Sequence, residues 1–135
     1  MCNMPAHNNW QIQDEFWNSF GVPAYDESVL VGGKAGEQEI GFPHITYEAY
    51  NGVLHQTATI NASLWDRNTS WKRLSDLADT IKASVVQSPI FVSEGGYYWI
   101  KMPERTPFAQ RLSAGEDAGE IKRIVLTIEA ESLSN

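Results

Sequence analysis

Residues 45–85 constrain this chain more than any other stretch. Ile45-Thr46-Tyr47-Glu48-Ala49-Tyr50 alternates apolar and polar side chains, as a half-buried strand does. Asn51-Gly52 follows, and both positions tolerate the positive φ of a type I′ hairpin turn. A second alternating run extends from Val53 to Trp65. A two-residue loop sets Tyr50 opposite Val53, Glu48 opposite His55 and Thr46 opposite Thr57. Ile45, Tyr47, Ala49, Leu54, Ala58, Ile60, Ala62 and Leu64 then share a face that must be buried. Thr46, Glu48, His55, Thr57, Thr59, Asn61 and Ser63 share the other face, toward water or a polar partner.

Asn68-Thr69-Ser70 offers three residue types that cap helix N-termini. Beyond it Trp71, Leu74, Ala78, Ile81 and Val85 recur at three- and four-residue spacing, which makes one apolar stripe. A half-buried sheet covered by a helix stripe defines a two-layer core. The expected fold class is therefore α+β: an antiparallel sheet of about four to five strands packed on two helices, with long loops.

The rest of the chain fits around that unit as one domain, residues 1–135. Residues 1–8 read as a flexible polar arm. A first helix is expected from Asn9, with Trp10, Ile12, Phe16, Trp17 and Phe20 as its apolar residues. Gly21 supplies a left-handed stop, Val22 can pack back on Trp17, and Pro23 forbids continuation. So many large apolar residues in so short a helix suggest surface left over for a neighbouring subunit. Residues 27–42 and 103–120 form long polar loops. Between them Ser88-Pro89 ends the second helix, and Ile90–Ser93 and Tyr97–Met102 flank Glu94-Gly95-Gly96 as a second hairpin. Ile121 to Ala130 is the last strand, with Ile124, Leu126, Ile128 and Ala130 on one face.

Charge and composition exclude several classes of function. Ten Lys and Arg against 17 Asp and Glu leave a formal charge of −7, the opposite of what wrapping a nucleic-acid backbone requires. The single cysteine, Cys2, precludes an internal disulfide framework and a Cys-rich zinc site. No apolar run approaches the roughly 20 residues of a membrane span, and the first residues do not resemble a secretory signal. A reducing cytoplasm is the expected place of folding.

Catalytic chemistry finds no foothold in the motifs. Gly32-Gly33-Lys34-Ala35-Gly36 lacks the residue order of a phosphate-binding loop, and no buried strand precedes it. His7, His44 and His55 do not form a metal set: the hairpin register puts His44 opposite Thr59, about four ladder positions from His55. Glu48 opposite His55 reads as a cross-strand charge pair. No Gly-x-Ser-x-Gly elbow is present, and Cys2 has no basic neighbour to activate it. No catalytic residue, cofactor or metal is expected.

The basic residues are more informative. Arg67, Lys72 and Arg73 cluster at the start of the second helix, the end that favours negative charge. In an acidic chain such a spot suits an acidic partner surface, and head-to-tail contact between identical subunits is one way to supply it. Lys34, Arg105 and Arg111, carried on the two long loops, complete the candidate interface.

The order of several short segments resembles one known family. These are Phe16-Trp17-Asn18-Ser19-Phe20-Gly21-Val22-Pro23-Ala24-Tyr25-Asp26, then Pro43-His44-Ile45-Thr46-Tyr47, Ser63-Leu64-Trp65, Thr69-Ser70-Trp71 and Thr106-Pro107-Phe108-Ala109-Gln110-Arg111. Together, over roughly residues 14–130, they look like the tail terminators, or tail-to-head joining proteins, of long-tailed bacteriophages. The resemblance implies a structural virion protein, assembled in the host cytoplasm and located in the tail or neck. It implies a homohexameric ring that caps the tail tube protein and meets the head–tail connector or stopper protein. DNA would only pass through the lumen, and no membrane is involved. A neck stopper or head-completion protein is the neighbouring alternative; a small ligand-binding protein or enzyme is a more distant one.

Overall fold

A computed structural model describes residues 13–27, 30–31, 34–35, 38–39, 41–48, 57–93, 96–112 and 121–133. In chain order they form helix α1 (residues 13–18), β1 (Ala24–Asp26), β2 (Leu30–Val31), β3 (Lys34–Ala35), β4 (Gln38–Glu39), β5 (His44–Tyr47) and β6 (Thr57–Arg67). Helix α2 (Lys72–Gln87) is followed by β7 (Ile90–Ser93), β8 (Gly96–Lys101), β9 (Ala109–Leu112) and β10 (Ile121–Ser132). The fold is α+β, as the hydrophobic patterns predict. The sheet is wider than expected, with seven strands ordered β1-β5-β6-β10-β8-β7 and β9 attached to β10.

β6 and β10 form the spine. They pair antiparallel from Thr57 opposite Glu131 to Arg67 opposite Ile121, a ladder about 33 Å long at strand rise. The other side of β10 is shared: β9 takes residues 123–126 and β8 takes 129–132. β1 lies parallel to β5 at one edge, and β7 forms the other.

Three differences from expectation concern strands. β9 falls inside the stretch 103–120, read above as loop. β1 adds a parallel edge, and β2, β3 and β4 form a separate three-stranded sheet inside the stretch 27–42. These strands are two to four residues long, too short to show a period, and their pairing partners decide them.

The β5–β6 register also differs. Thr46 lies opposite Ser63 rather than Thr57, and His44 opposite Trp65 rather than Thr59. That pairing is displaced by six residues from the one a two-residue turn at 51–52 imposes. The turn itself, His55 and its proposed pairing with Glu48 lie outside the described residues, and the Glu48 amide instead donates to the Asn61 carbonyl. Because six is even, every described side chain of β5 and β6 keeps its expected face.

The helix-covered face is the core. Ile45 and Tyr47, Ile60, Ala62 and Leu64, Ile124, Leu126, Ile128 and Ala130, and Tyr98 and Ile100 are all buried there. Leu74, Ala78, Ile81 and Val85 of α2 meet them, as the stripe predicts, together with Phe16 and Trp17 of α1. Edge-to-face contacts join Phe16 to Trp17, Phe20 and Phe91. Gly21 takes φ +87° just after α1, the left-handed stop the sequence predicts. The expected cap of α2 is displaced by one residue: Trp71 is the N-cap and makes no side-chain cap bond. Ser70 Oγ nevertheless accepts from the Lys72 amide, and Asn68 Oδ1 from the Ser70 amide.

Candidate functional site

Opposite alternation puts a second set of side chains on the sheet's outer face, and one end of it is not the wet surface expected. Thr46 and Ser63 are buried, each hydrogen-bonded to a larger side chain. The Trp65 indole N–H donates to Thr46 Oγ1 at 2.9 Å, and Arg123 Nε donates to Ser63 Oγ at 3.1 Å. Arg123 also lies over the Trp65 ring, 4.8 Å from its centre. On Trp65's other side His44 stacks at 6.3 Å and 13°. Phe42 and Tyr25 close around His44, and Arg67 sits over Phe42. His44 is therefore a packing residue. Its Nδ1–H donates to the Gly41 carbonyl at 2.9 Å, and burial holds its pKa below the ordinary value.

The candidate basic residues separate into groups. Arg73 reaches back from the first turn of α2 to Asp66, a wholly buried carboxylate on the core face of β6. Its Nε donates to Oδ2 at 2.9 Å and its Nη2 to Oδ1. Lys72 pairs with Asp76 one turn on, at 2.8 Å. Both cations have their pKa raised, first by hydrogen bonding to these carboxylates. Of the three basic residues expected at the helix start, these two are thus engaged by carboxylates of the same chain.

Arg111 comes from β9 to the same corner, and its Nη2 donates to Ser75 Oγ at 3.2 Å. It lies 4.9 Å from the Trp71 ring centre, and Lys122 of β10 lies 5.6 Å from the same ring. Neither Arg111 nor Lys122 forms an ion pair among the described residues. Lys122 was missed in the sequence because its β10 register opposite Asp66 is a long-range fact. Arg67 is on the outer face, and Arg105 is elsewhere again. Arg105 lines a shallow recess of about 400 Å³ with Glu104, Thr106, Thr59, Asn61, Thr127 and Glu129. Lys34 belongs to β3, and its side chain lies outside the described residues.

The edge hairpin β7–β8 carries a further feature. Ile90 lies opposite Trp99 and Val92 opposite Tyr97, all on the outer face. Their exposures are 45%, 42%, 60% and 46%. Four large apolar side chains thus form a ladder open to solvent on the outermost strands of the sheet. Consecutive apolar residues in Ile90-Phe91-Val92 and Tyr97-Tyr98-Trp99-Ile100 signal apolar surface on both faces of this hairpin, and only one faces the helices.

No group of three or more His, Cys, Asp or Glu that could hold a metal exists among the described residues. None of the described helices is long and apolar enough to cross a membrane. Tyr47 is the most perturbed titrating group: burial, then its hydrogen bond to Asp14 at 2.8 Å, and the charges of Asp14 and Asp26, push its pKa well above the usual phenol value. It faces the core, stacked on Trp17. The chain matches no protein-family model, and no curated protein matches it.

Proposed function

We propose that this chain is a structural subunit of a long-tailed bacteriophage: a tail-completion protein that assembles with copies of itself into a ring, caps the tail tube and joins it to the head connector. The observation that carries the proposal is the open ladder Ile90/Trp99 and Val92/Tyr97 on edge strand β7 and its partner β8. The described core does not use these four large apolar residues, and exposed apolar surfaces on a strand edge mark protein–protein contact. The order of segments from Phe16 to Arg111 supports a phage-tail setting for that contact. A rigid sheet with helices on one face also gives a capping subunit two dissimilar surfaces.

Electron microscopy of phage particles made without this protein tests the reading. Overlong tail tubes without attached heads are expected. DNA-leaking heads beside tails of normal length move the assignment to a neck stopper, and normal infectious particles overturn both.

A further inference from the structure

Charge is segregated along the β6–β10 ladder. Arg67, Lys72, Arg73, Arg111, Lys122 and Arg123, six of the ten Lys and Arg residues, lie where β6 ends, β10 begins and α2 starts. Asp66 and Asp76 engage Arg73 and Lys72. Arg111 and Lys122 remain: Arg111 faces Ile124, two residues along β10 from Lys122 and on the same face, with half-buried Trp71 beside both. Asp66 lies opposite Lys122 but is held by Arg73, so two cations against one ring, with no ion pair of their own among the described residues, repel one another. Toward the other end of the ladder the recess beside β10 has Glu104 and Glu129 on its wall against the single cation Arg105, while Lys101 there is committed to Glu131 at 3.1 Å.

Resting on the assembly reading above, we propose that the Trp71 corner is the docking surface for a second copy of this chain. It receives that copy's Glu104–Glu129 recess, head to tail. Two molecules of charge −7 repel at long range, so an encounter succeeds only where a positive patch meets a negative one. A contact between different patches on identical molecules leaves each copy with one patch unused, and therefore propagates, closing into a ring where the rotation between copies allows it. Trp71 supplies the flat apolar centre, and the cations supply direction.

The test uses two charge-reversed proteins, Arg111→Glu/Lys122→Glu and Glu104→Lys/Glu129→Lys, studied by sedimentation velocity alone and as an equimolar mixture. Arg111 and Glu104 are exposed and Lys122 and Glu129 half-buried, and a thermal melt of each confirms the fold; Arg111→Gln/Lys122→Gln replaces the first protein if it melts early. The wild type should self-associate, more weakly at about 500 mM than at about 50 mM salt because exposed charges are screened. Each reversed protein alone should associate at least tenfold more weakly. The mixture should recover assembly, since its two possible contacts between unlike copies join either two original patches or two reversed ones, and each such pair is opposite in charge. Undiminished association of the reversed proteins, or no recovery on mixing, overturns this docking surface while leaving the assembly reading standing. A wild type that stays monomeric at every concentration overturns both. Duplex DNA bound by the wild type and lost in Arg111→Glu/Lys122→Glu would assign the corner to phosphate and overturn the proposal.

Discussion

Asp66 has no solvent exposure, and the guanidinium of Arg73, seven residues further on, holds both of its carboxylate oxygens. The pair ties the end of β6 to the first turn of α2, so the strand–helix connection 68–71 is clamped at both ends. Arg73 is half exposed while Asp66 is not. Removing the arginine leaves a buried carboxylate without its counter-charge, whereas the exposed Lys72–Asp76 pair does little for stability. Thermal unfolding should therefore separate two neighbours: Lys72→Glu melts close to the wild type, and Arg73→Glu melts far below it. Equal melting temperatures would show that Asp66 finds another partner.

Leu126 lies at the centre of the core face of β10 and has no exposure. Leu126→Ala removes three buried carbons from a position hemmed in by β6 and α2, and should cost about 2–5 kcal/mol. Urea unfolding followed by circular dichroism measures it. A shift well below that range would mean that α2 closes onto the gap.

Trp65 is half-buried on the outer face, away from the helices, so truncation acts through the ring cluster rather than the core. Trp65→Phe keeps a ring between His44 and Arg123 but leaves the buried Thr46 hydroxyl without its indole donor, at a cost of about 1 kcal/mol. Trp65→Ala also uncovers Thr46, and should cost about 2–3 kcal/mol, less than a fully buried tryptophan. Equal losses in the two variants would place all of Trp65's contribution in its N–H.

These contrasts show what the amino-acid pattern encodes and what it omits. The α2 stripe and the faces of β5 and β6 are legible because they are local alternations, and they survive a register six residues away from that of a two-residue turn. Register is not local: β6 is paired along its length with β10, more than fifty residues away in the chain. β9 reads as loop because Ala109-Gln110-Arg111-Leu112 has no apolar alternation and depends on β10 for its existence. The same blindness affected the basic residues. Arg73 reads as an unsupported charge at a helix start, yet Asp66 two positions after Leu64 is an acid in a core-facing register, and a partner for it was implied. Where Arg111 and Lys122 meet could not be read at all, since Trp71 joins three elements distant in sequence.

The pH dependence of stability should bear the mark of His44. Burial lowers its folded pKa below the ordinary 6.5, with the Gly41 hydrogen bond acting the other way. Below about pH 6.5 the unfolded chain therefore takes up a proton that the folded chain refuses, and the unfolded state gains. Stability is full above that pH and falls as pH drops toward the lowered folded value. His44→Phe keeps an aromatic ring in the cluster and should flatten the slope between about pH 7 and about pH 5.5. A slope unchanged in His44→Phe would assign the effect to other groups.

The ladder on β7 and β8 gives the sharpest separation of folding from assembly. Ile90 and Val92 point away from the helices, and nearly half or more of each is open to solvent. Replacing exposed side chains on an edge strand changes stability by only about 0.5 kcal/mol, while lysine on such an edge blocks pairing with another chain. On the proposed structural role, Ile90→Lys/Val92→Lys should therefore melt near the wild type and yet assemble less well, through a contact additional to the Trp71 corner. Light scattering after size exclusion reads the mass, and complementation of a phage lacking the protein reads the biological result. A correctly folded double variant that assembles and complements would remove this hairpin from the contact and, with it, the observation on which the structural role rests.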